Sequence, residues 1–451
     1  MKKLLLFGAG KSATDLIRYL IDVTAARGWQ LVVAENNLAL AQSKIGEAPQ
    51  ARAVALDVSH EVQRDALVAE ADIVISLLPP ALHYLVALSC VRRRKNLLTA
   101  SYLDEAIRAL EPDIRGNGLL FLCEMGLDPG IDHMSALQLI RHIRARGGRI
   151  HSFYSHTGGL VAPESDDNPW HYKISWNPRN VVLAGAAGAT WRQEGRIVTR
   201  TYDGIFDRTG EVAMPGLGAL AWYPNRDSLS YIPLYALDEA ETFIRTTLRY
   251  PQFCAAWKHI VHAGLTDAHT PIRTDAHTPI STDASPSGAG PGIAATSDPI
   301  QLTYARWSAP LLPYVDDTNR EQYAFLGLFD ETPVPAGAKT SADILQHLLE
   351  TRLAMKPQDK DMIVMIHEIG YTLEDRSRQA RSTLRIQGED SLYTAMARTV
   401  GLPLGIAAVL VLDGRIPLTG LHIPIVPEIY DPVMEELEKQ GIRFEHSDKA
   451  V

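Results

Sequence analysis

The chain has 451 residues, 46% apolar and 22% charged, with 44 Lys and Arg against 53 Asp and Glu for a net charge of −9. Such a length allows about three domains of ~150 residues, and the composition excludes a disordered chain. The acidic balance, with no concentrated basic stretch, argues against nucleic acid or an anionic membrane as the main partner and for a small molecule. Cys90, Cys123 and Cys254 are odd in number, far apart and without CxxC or Cys/His spacing. Neither a disulfide framework nor a metal site is expected, and a reducing cytoplasm fits.

Met1-Lys2-Lys3 before Leu4–Phe7 opens like a secretory signal, but Lys11 and Asp15 break the apolar run, so no targeting segment is expected. Thr399 to Leu412, the longest apolar stretch elsewhere, is shorter than the ~20 residues of a membrane span and contains Pro403. Over the first 125 residues, apolar runs alternate with helix-length segments: Leu4–Phe7, Leu31–Ala34, Ala53–Leu56, Ile73–Leu77, Leu97–Thr99 and Leu119–Leu122. Continuous apolar strands separated by helices predict a Rossmann-type, doubly wound parallel sheet of six strands. Ala13, Leu16, Ile17, Leu20 and Ile21 make one helical stripe, and Gly28 ends that helix.

Between the first strand and that helix lies Gly8-Ala9-Gly10-Lys11-Ser12-Ala13, the GxGxxA dinucleotide fingerprint. Gly8 permits the tight turn, Gly10 lets the backbone approach a pyrophosphate, and Ala13 allows close packing of helix on sheet. The phosphate would rest on free N–H groups at the helix start. A purely structural glycine turn is the competing reading. Glu35 closes the second strand, where a carboxylate accepts hydrogen bonds from an adenosine ribose and repels a 2′-phosphate. Asn36 and Asn37 supply no Arg to pair with one. NAD is therefore the expected cofactor, with NADP left open.

Ser101-Tyr102 ends the fifth strand, and Glu124 through His133 follows the sixth. Open α/β sheets bind ligands at this carboxyl edge, so a phenol, carboxylates and an imidazole are expected near a nicotinamide. The same residues could instead form a turn at Asp128-Pro129-Gly130 and a helix cap at Asp132. Residues 128–390 read as an inserted α+β unit, with a strand at Met362–Ile366 and a helix at Ala342–Met355. Within it, Thr266–Ile272 is nearly repeated at Thr274–Ile280 and runs into a Ser, Ala, Gly and Pro-rich stretch. Residues 266–298 are expected to be a disordered insertion, with His269 and His277 as parts of a duplicated linker rather than metal ligands. Ser391–Leu412 reads as a buried helix and Asp431–Gln440 as an amphipathic one, with Asp431 as N-cap and Pro432 at its first position. Residues 1–127 with 391–451 form the expected nucleotide domain.

Several uncommon strings occur in one order: Gly126–His133, Gly158-Gly159-Leu160 with Ala162-Pro163-Glu164, Asp167-Asn168-Pro169, Tyr172–Trp176, Tyr223–Asp227 and Thr247–Tyr250. In these the chain resembles the glutamate-forming saccharopine dehydrogenases over nearly its whole length. The resemblance implies nicotinamide-linked interconversion of saccharopine and water with L-glutamate and 2-aminoadipate 6-semialdehyde, a homodimer, a nucleotide domain completed by C-terminal helices, and residues 128–390 as a substrate and dimerisation domain. It implies a cofactor side of Ala9, Gly10, Lys11, Ser12, Glu35, Asn36, Asn37, Asp57, Ile75, Ala100, Ser101, Leu127 and Ser175. On the substrate side it implies Ser101, Tyr102, Asp128, Arg226, Thr247, Leu248 and Arg249.

Saccharopine carries three carboxylates, an ammonium and a secondary amine, so Arg226 and Arg249 could fork onto carboxylates while Asp128 pairs with an ammonium. Oxidation needs a base and later an acid, for which Asp128 and Tyr102 lead and His133 stands in reserve. Many eukaryotic members of the family have Cys before Gly-Gly-Leu and an Arg-containing loop after the second strand. Thr157 and Glu35-Asn36-Asn37 stand there in this chain. Two other functions fit the residues: a reductive-condensation dehydrogenase for another amino acid or polyamine, and a non-catalytic dinucleotide sensor.

Overall fold

The computed structural model describes residues 1–272 and 301–451. The six expected strands form at Lys3–Phe7, Gln30–Glu35, Ala51–Ala55, Ile73–Ser76, Asn96–Thr99 and Leu120–Leu122. In space they run third, second, first, fourth, fifth, sixth, all parallel where paired. The order reverses between the first and fourth strands, which is the crevice-forming point of a doubly wound sheet. Strand side chains alternate between two cores: Leu4, Leu6, Leu31 and Val33 enter one, and Leu5, Phe7, Val32 and Ala34 the other. Burial on both faces explains why these runs are apolar throughout. A seventh parallel strand, Gly420–His422, pairs with Leu120–Leu122. Three residues are too few to show a period.

The helix Thr14–Arg27 ends on Gly28 at φ +64°, as expected. Against it packs the buried C-terminal helix Ala395–Leu412. A Cβ at Gly401 would lie 2.9 Å from Leu16 Cβ and 3.2 Å from the Ser12 carbonyl oxygen, so these helices meet at a distance only glycine permits. This 18-residue helix, of mean hydropathy 1.9, is long and apolar enough to cross a membrane, but 78% of it is buried in the fold. It begins four residues later than expected because Thr394, whose hydroxyl accepts from the Ala397 N–H at 2.9 Å, is its cap.

The second sheet is mixed and ten-stranded. Its main path runs Gly210–Met214, Gly218–Pro224, Thr242–Arg249, Arg149–Val161, Asp361–Leu373, Arg376–Gln387, Glu445–Ala450. Trp170, Trp257 and Tyr323 anchor a separate aromatic core beside it. The expected Ala342–Met355 helix is Ser341–Arg352, started by a capping box between Thr340 and Asp343.

Three expectations need correction. Residues 391–451 do not all join the nucleotide unit, because Glu445–Ala450 pairs with Arg376–Gln387 in the second sheet. The last long helix is Pro427–Lys439, with Pro427 in its first turn; Asp431 and Pro432 lie inside it. The Asp431 carboxylate is not a cap but binds Arg141 at 2.6 Å and Gln138 at 3.2 Å on the neighbouring Ile131–Ala145 helix. The start of the 266–298 stretch is packed: Thr266 is buried, Asp267 O accepts from Ala342 N, and Ile272 N donates to Lys339 O. The rest of that stretch, His277 included, lies outside the described residues.

Candidate active site

Phe7 pairs with Ala34 and Ser76, and Ser76 with Thr99, so the residues that follow these strands share one edge. Gly8 turns the chain there at φ +99°, and a Cβ on it would stand 2.5 Å from the Leu77 carbonyl oxygen. At Gly10 a Cβ would meet nothing within 4 Å. The backbone is thus open to a pyrophosphate where a short 3-10 turn, Lys11–Ala13, leads into Thr14–Arg27 and leaves N–H groups unpaired along the helix. Ala13 is fully buried, as close helix–sheet packing requires.

Glu35 is pinned by the loop, with Oε2 accepting from Ala9 N at 2.8 Å and Oε1 from Asn37 N at 3.1 Å. Asn37 also caps the Leu38–Ile45 helix, and Asn36 is exposed. Sequence reasoning missed Lys44, whose Nζ donates to Gly10 O at 2.5 Å and to Thr14 Oγ1 at 2.9 Å. Burial lowers its ammonium pKa to about 8, with Glu35 opposing. Asp57 follows the third strand, and hydrogen bonds from Ser59 hold its carboxyl below the usual range. The Ile75 and Leu127 side chains are buried beneath this edge, so their backbone is what the edge presents. A cavity of about 290 Å³ lies between Lys11 and the second unit's Ile174, Glu350 and Ser391, placing the Ser175 loop opposite the fingerprint.

Beyond the fifth strand, Ala100 leads to Ser101, whose hydroxyl lies 2.8 Å from His83 Nε2, while His83 Nδ1 lies 2.8 Å from Ser76 Oγ. Burial lowers the His83 pKa to about 4, so its neutral ring orients Ser101. The Tyr102 phenol donates to Asp128 Oδ1 at 3.1 Å, and burial pushes it well above its ordinary value. Tyr102 therefore serves as a hydrogen-bond donor at neutral pH. Burial also pushes the Asp128 carboxyl up, with Arg245 opposing and the Asp132 charge reinforcing the rise. At Asp132 burial acts in the same sense but is outweighed by His133, Arg245 and the Gly130 N–H at 2.6 Å, which hold it below the usual range.

His133 does not reach the open face. It is fully buried, with Nε2 2.9 Å from Glu124 Oε2 and Nδ1 2.5 Å from Tyr235 Oη. Glu124 also accepts from Leu103 N and from the Tyr231 hydroxyl, each at 3.1 Å. Both ring nitrogens of His133 are thus engaged within the protein interior.

Arg245 lies on the strand Thr242–Arg249, on which alternate residues share a face. Arg245, Thr247 and Arg249 form one such set, with Arg245 and Arg249 about 13 Å apart by strand rise. The Leu248 side chain belongs to the opposite face, in a core with Leu160, Val212 and Met362, and is not available to a ligand. Arg249 is 3% exposed and has no carboxylate partner among the described residues. Its Nη1 reaches only the Leu248 carbonyl, and its Nε, the Tyr223 hydroxyl and the Thr157 hydroxyl are all buried and unpartnered. Thr157 and Tyr223 flank Thr247 in the sheet. Arg226 is exposed, forms no ion pair among the described residues, and stands 5.2 Å from the Tyr102 ring centre. Arg245, unrecognised from sequence, bridges Asp128 and Asp132; the polar alternation of Arg245, Thr247 and Arg249 in a buried strand was its signal.

A dinucleotide cradle on a doubly wound sheet, joined to a second unit that carries Arg226 and Arg249 with no carboxylate partner among the described residues, defines a two-unit pyridine-nucleotide oxidoreductase. Residues 4–122 match the model for the saccharopine dehydrogenase NADP binding domain, and residues 126–442 that for the saccharopine dehydrogenase C-terminal domain. The chain belongs to the saccharopine dehydrogenase family. It is 37% identical to saccharopine dehydrogenase [NADP(+), L-glutamate-forming] of Saccharomyces cerevisiae, over 98% of each chain. It is 34% identical to mitochondrial alpha-aminoadipic semialdehyde synthase of Bos taurus, over 98% of this chain and 47% of that protein. The solved structure of apo saccharopine dehydrogenase (L-Glu forming) from Saccharomyces cerevisiae superposes with a TM-score of 0.84 at 33% identity, covering 100% of both chains.

Proposed function

We propose that this protein interconverts saccharopine, water and NAD(P)+ with L-glutamate, 2-aminoadipate 6-semialdehyde and NAD(P)H. Family membership supports the reaction class. The observation that carries the substrate is the buried Arg249, a guanidinium with no carboxylate of its own beside the unpaired hydroxyls of Tyr223 and Thr157. Burying an unpaired charge is costly, and a substrate carboxylate removes that cost. Arg226, above Tyr102, offers a second carboxylate site, so both ends of a multiply charged amino acid are addressed.

The nicotinamide, when bound, supplies the hydride acceptor. Asp128 takes the proton of the secondary amine, so that the nitrogen lone pair can assist departure of a hydride from the ε-carbon of the lysine-derived chain, the carbon that becomes the aldehyde. Tyr102 keeps Asp128 aligned by donating to it. The C=N product then adds water and splits, with the protonated Asp128 returning its proton. Ser101, oriented by His83, lies at the junction of cofactor and substrate. Steady-state oxidation of saccharopine tests the assignment: no turnover with NAD or NADP overturns it. Arg249→Met should raise KM for saccharopine by about 10- to 100-fold, the loss of a charge-assisted hydrogen-bonded pair. Its kcat should change much less, and initial-rate kinetics separate the two effects.

NAD is the preferred cofactor on this reading, although the Saccharomyces cerevisiae relative is named for NADP(+) and the matching nucleotide-domain model for NADP binding. The support is the Glu35 carboxylate pinned against Ala9 and Asn37, where it meets a ribose 2′-substituent. Glu35→Ser with Asn36→Arg should shift the NADP over NAD ratio of kcat/KM by about 100-fold towards NADP. A wild-type enzyme that already strongly prefers NADP overturns this reading of Glu35 alone. A homodimer in a reducing cytoplasm completes the proposal; the three cysteines, all buried free thiols, support the reducing compartment.

A further inference from the structure

A buried cluster of charged groups lies beneath Asp128. Arg245 Nη2 donates to Asp128 Oδ1 at 2.5 Å and to Asp132 Oδ2 at 2.7 Å, while its own side chain is 2% exposed. One nitrogen thus divides its two protons between two carboxylates. Arg245 is fixed by stacking, with its guanidinium 4.5 Å from the Tyr231 ring centre and 5.9 Å from that of Tyr102. Asp132 is fixed independently by the Gly130 N–H.

We propose that Arg245 is a positioning residue that aims the Asp128 carboxylate at the substrate amine, and that Asp132 is a competing counter-ion limiting its hold on Asp128. The proposal rests on the reading of Asp128 as the proton acceptor. The geometry explains why a second carboxylate is buried beside the first. With Arg245 alone, Asp128 would be a tightly paired anion and a poor base. With Asp132 alone, two carboxylates would face each other and Asp128 would hold its proton. The other groups facing Asp128 are Tyr102, donating at 3.1 Å; Arg226, above the Tyr102 ring; and His133, bonded to Glu124 and Tyr235 and 3.6 Å from Asp132 Oδ2. Tyr231 lies behind Arg245. None of them connects both carboxylates.

The two halves of the arrangement act with opposite sign, which gives the test. In oxidation the base must be unprotonated, so its pKa sets the acid limb of kcat/KM against pH. Removing the cation in Arg245→Met should raise that limb by about one pH unit or more, and removing the neighbouring anion in Asp132→Asn should lower it. Asn keeps an acceptor for the Gly130 N–H. NADH and NADPH fluorescence titration checks that each variant retains the nucleotide site. If Arg245→Met does not fold, Arg245→Lys replaces it with the same direction expected, since one ammonium cannot reproduce the guanidinium fork. Limbs that stay in place, or move in the same direction, overturn the role of Arg245 even if Asp128→Asn loses its turnover. Wild-type turnover by Asp128→Asn overturns the reading of Asp128 itself.

Discussion

Replacing Asp128 by Asn should lower kcat for saccharopine oxidation by about 100- to 10,000-fold, the range for loss of a general base. Asn keeps an oxygen for the Tyr102 hydroxyl and for Arg245, which now bind Asp128 at 3.1 and 2.5 Å. The site therefore retains its shape while losing a group that can take a proton. KM for saccharopine should change far less than kcat. A rise in KM with kcat preserved would make Asp128 a group that binds substrate ammonium and would move the proton transfer elsewhere. Burial already pushes this carboxyl up against the pull of Arg245, which brings its pKa towards the operating pH of a base.

Gly8→Ala should abolish useful cofactor binding, with a loss of about 100-fold or more in NADH and NADPH affinity and roughly 3 kcal/mol of stability. Two penalties coincide. The backbone stands at φ +99°, and the new methyl carbon would lie 2.5 Å from the Leu77 carbonyl oxygen. Relief requires moving the end of the first strand away from the fourth, which opens the fingerprint turn. Thermal unfolding with and without NADPH checks both parts: the transition falls, and the shift produced by ligand in the wild-type protein disappears.

The nucleotide half was legible because its signals are local. Strand, turn and helix around Gly8 to Ala13 follow one another within a few residues, and Glu35 stands at the end of the next strand. The reaction centre was legible only in part. Tyr102 and Asp128 follow neighbouring parallel strands, so the carboxyl-edge rule brings them together. Arg245 lies 117 residues from Asp128, and only sheet pairing joins them. His83 likewise looks like a polar residue in an ordinary helix until the fold sets it between Ser76 and Ser101. Asp431 shows the opposite failure, since a local cap signal was present but the Arg141 pairing and an earlier start at Pro427 prevailed. Leu248 and His133 share motifs with ligand-facing neighbours, yet alternation along a strand turns one away and a fully bonded ring withholds the other.

The contact between Thr14–Arg27 and Ala395–Leu412 joins two helices near opposite ends of the chain. During synthesis the first six strands leave the ribosome with the apolar surface around Leu16 and Leu20 uncovered, and nearly four hundred residues pass before its cover arrives. The edge beside Leu120–Leu122 is covered later still, once Gly420–His422 has been made. The nucleotide unit, although its fingerprint lies at Gly8 to Ala13, is therefore finished only once residues 395–422 have been made. Pairings so distant in sequence fold slowly and leave an aggregation-prone surface in the nascent chain.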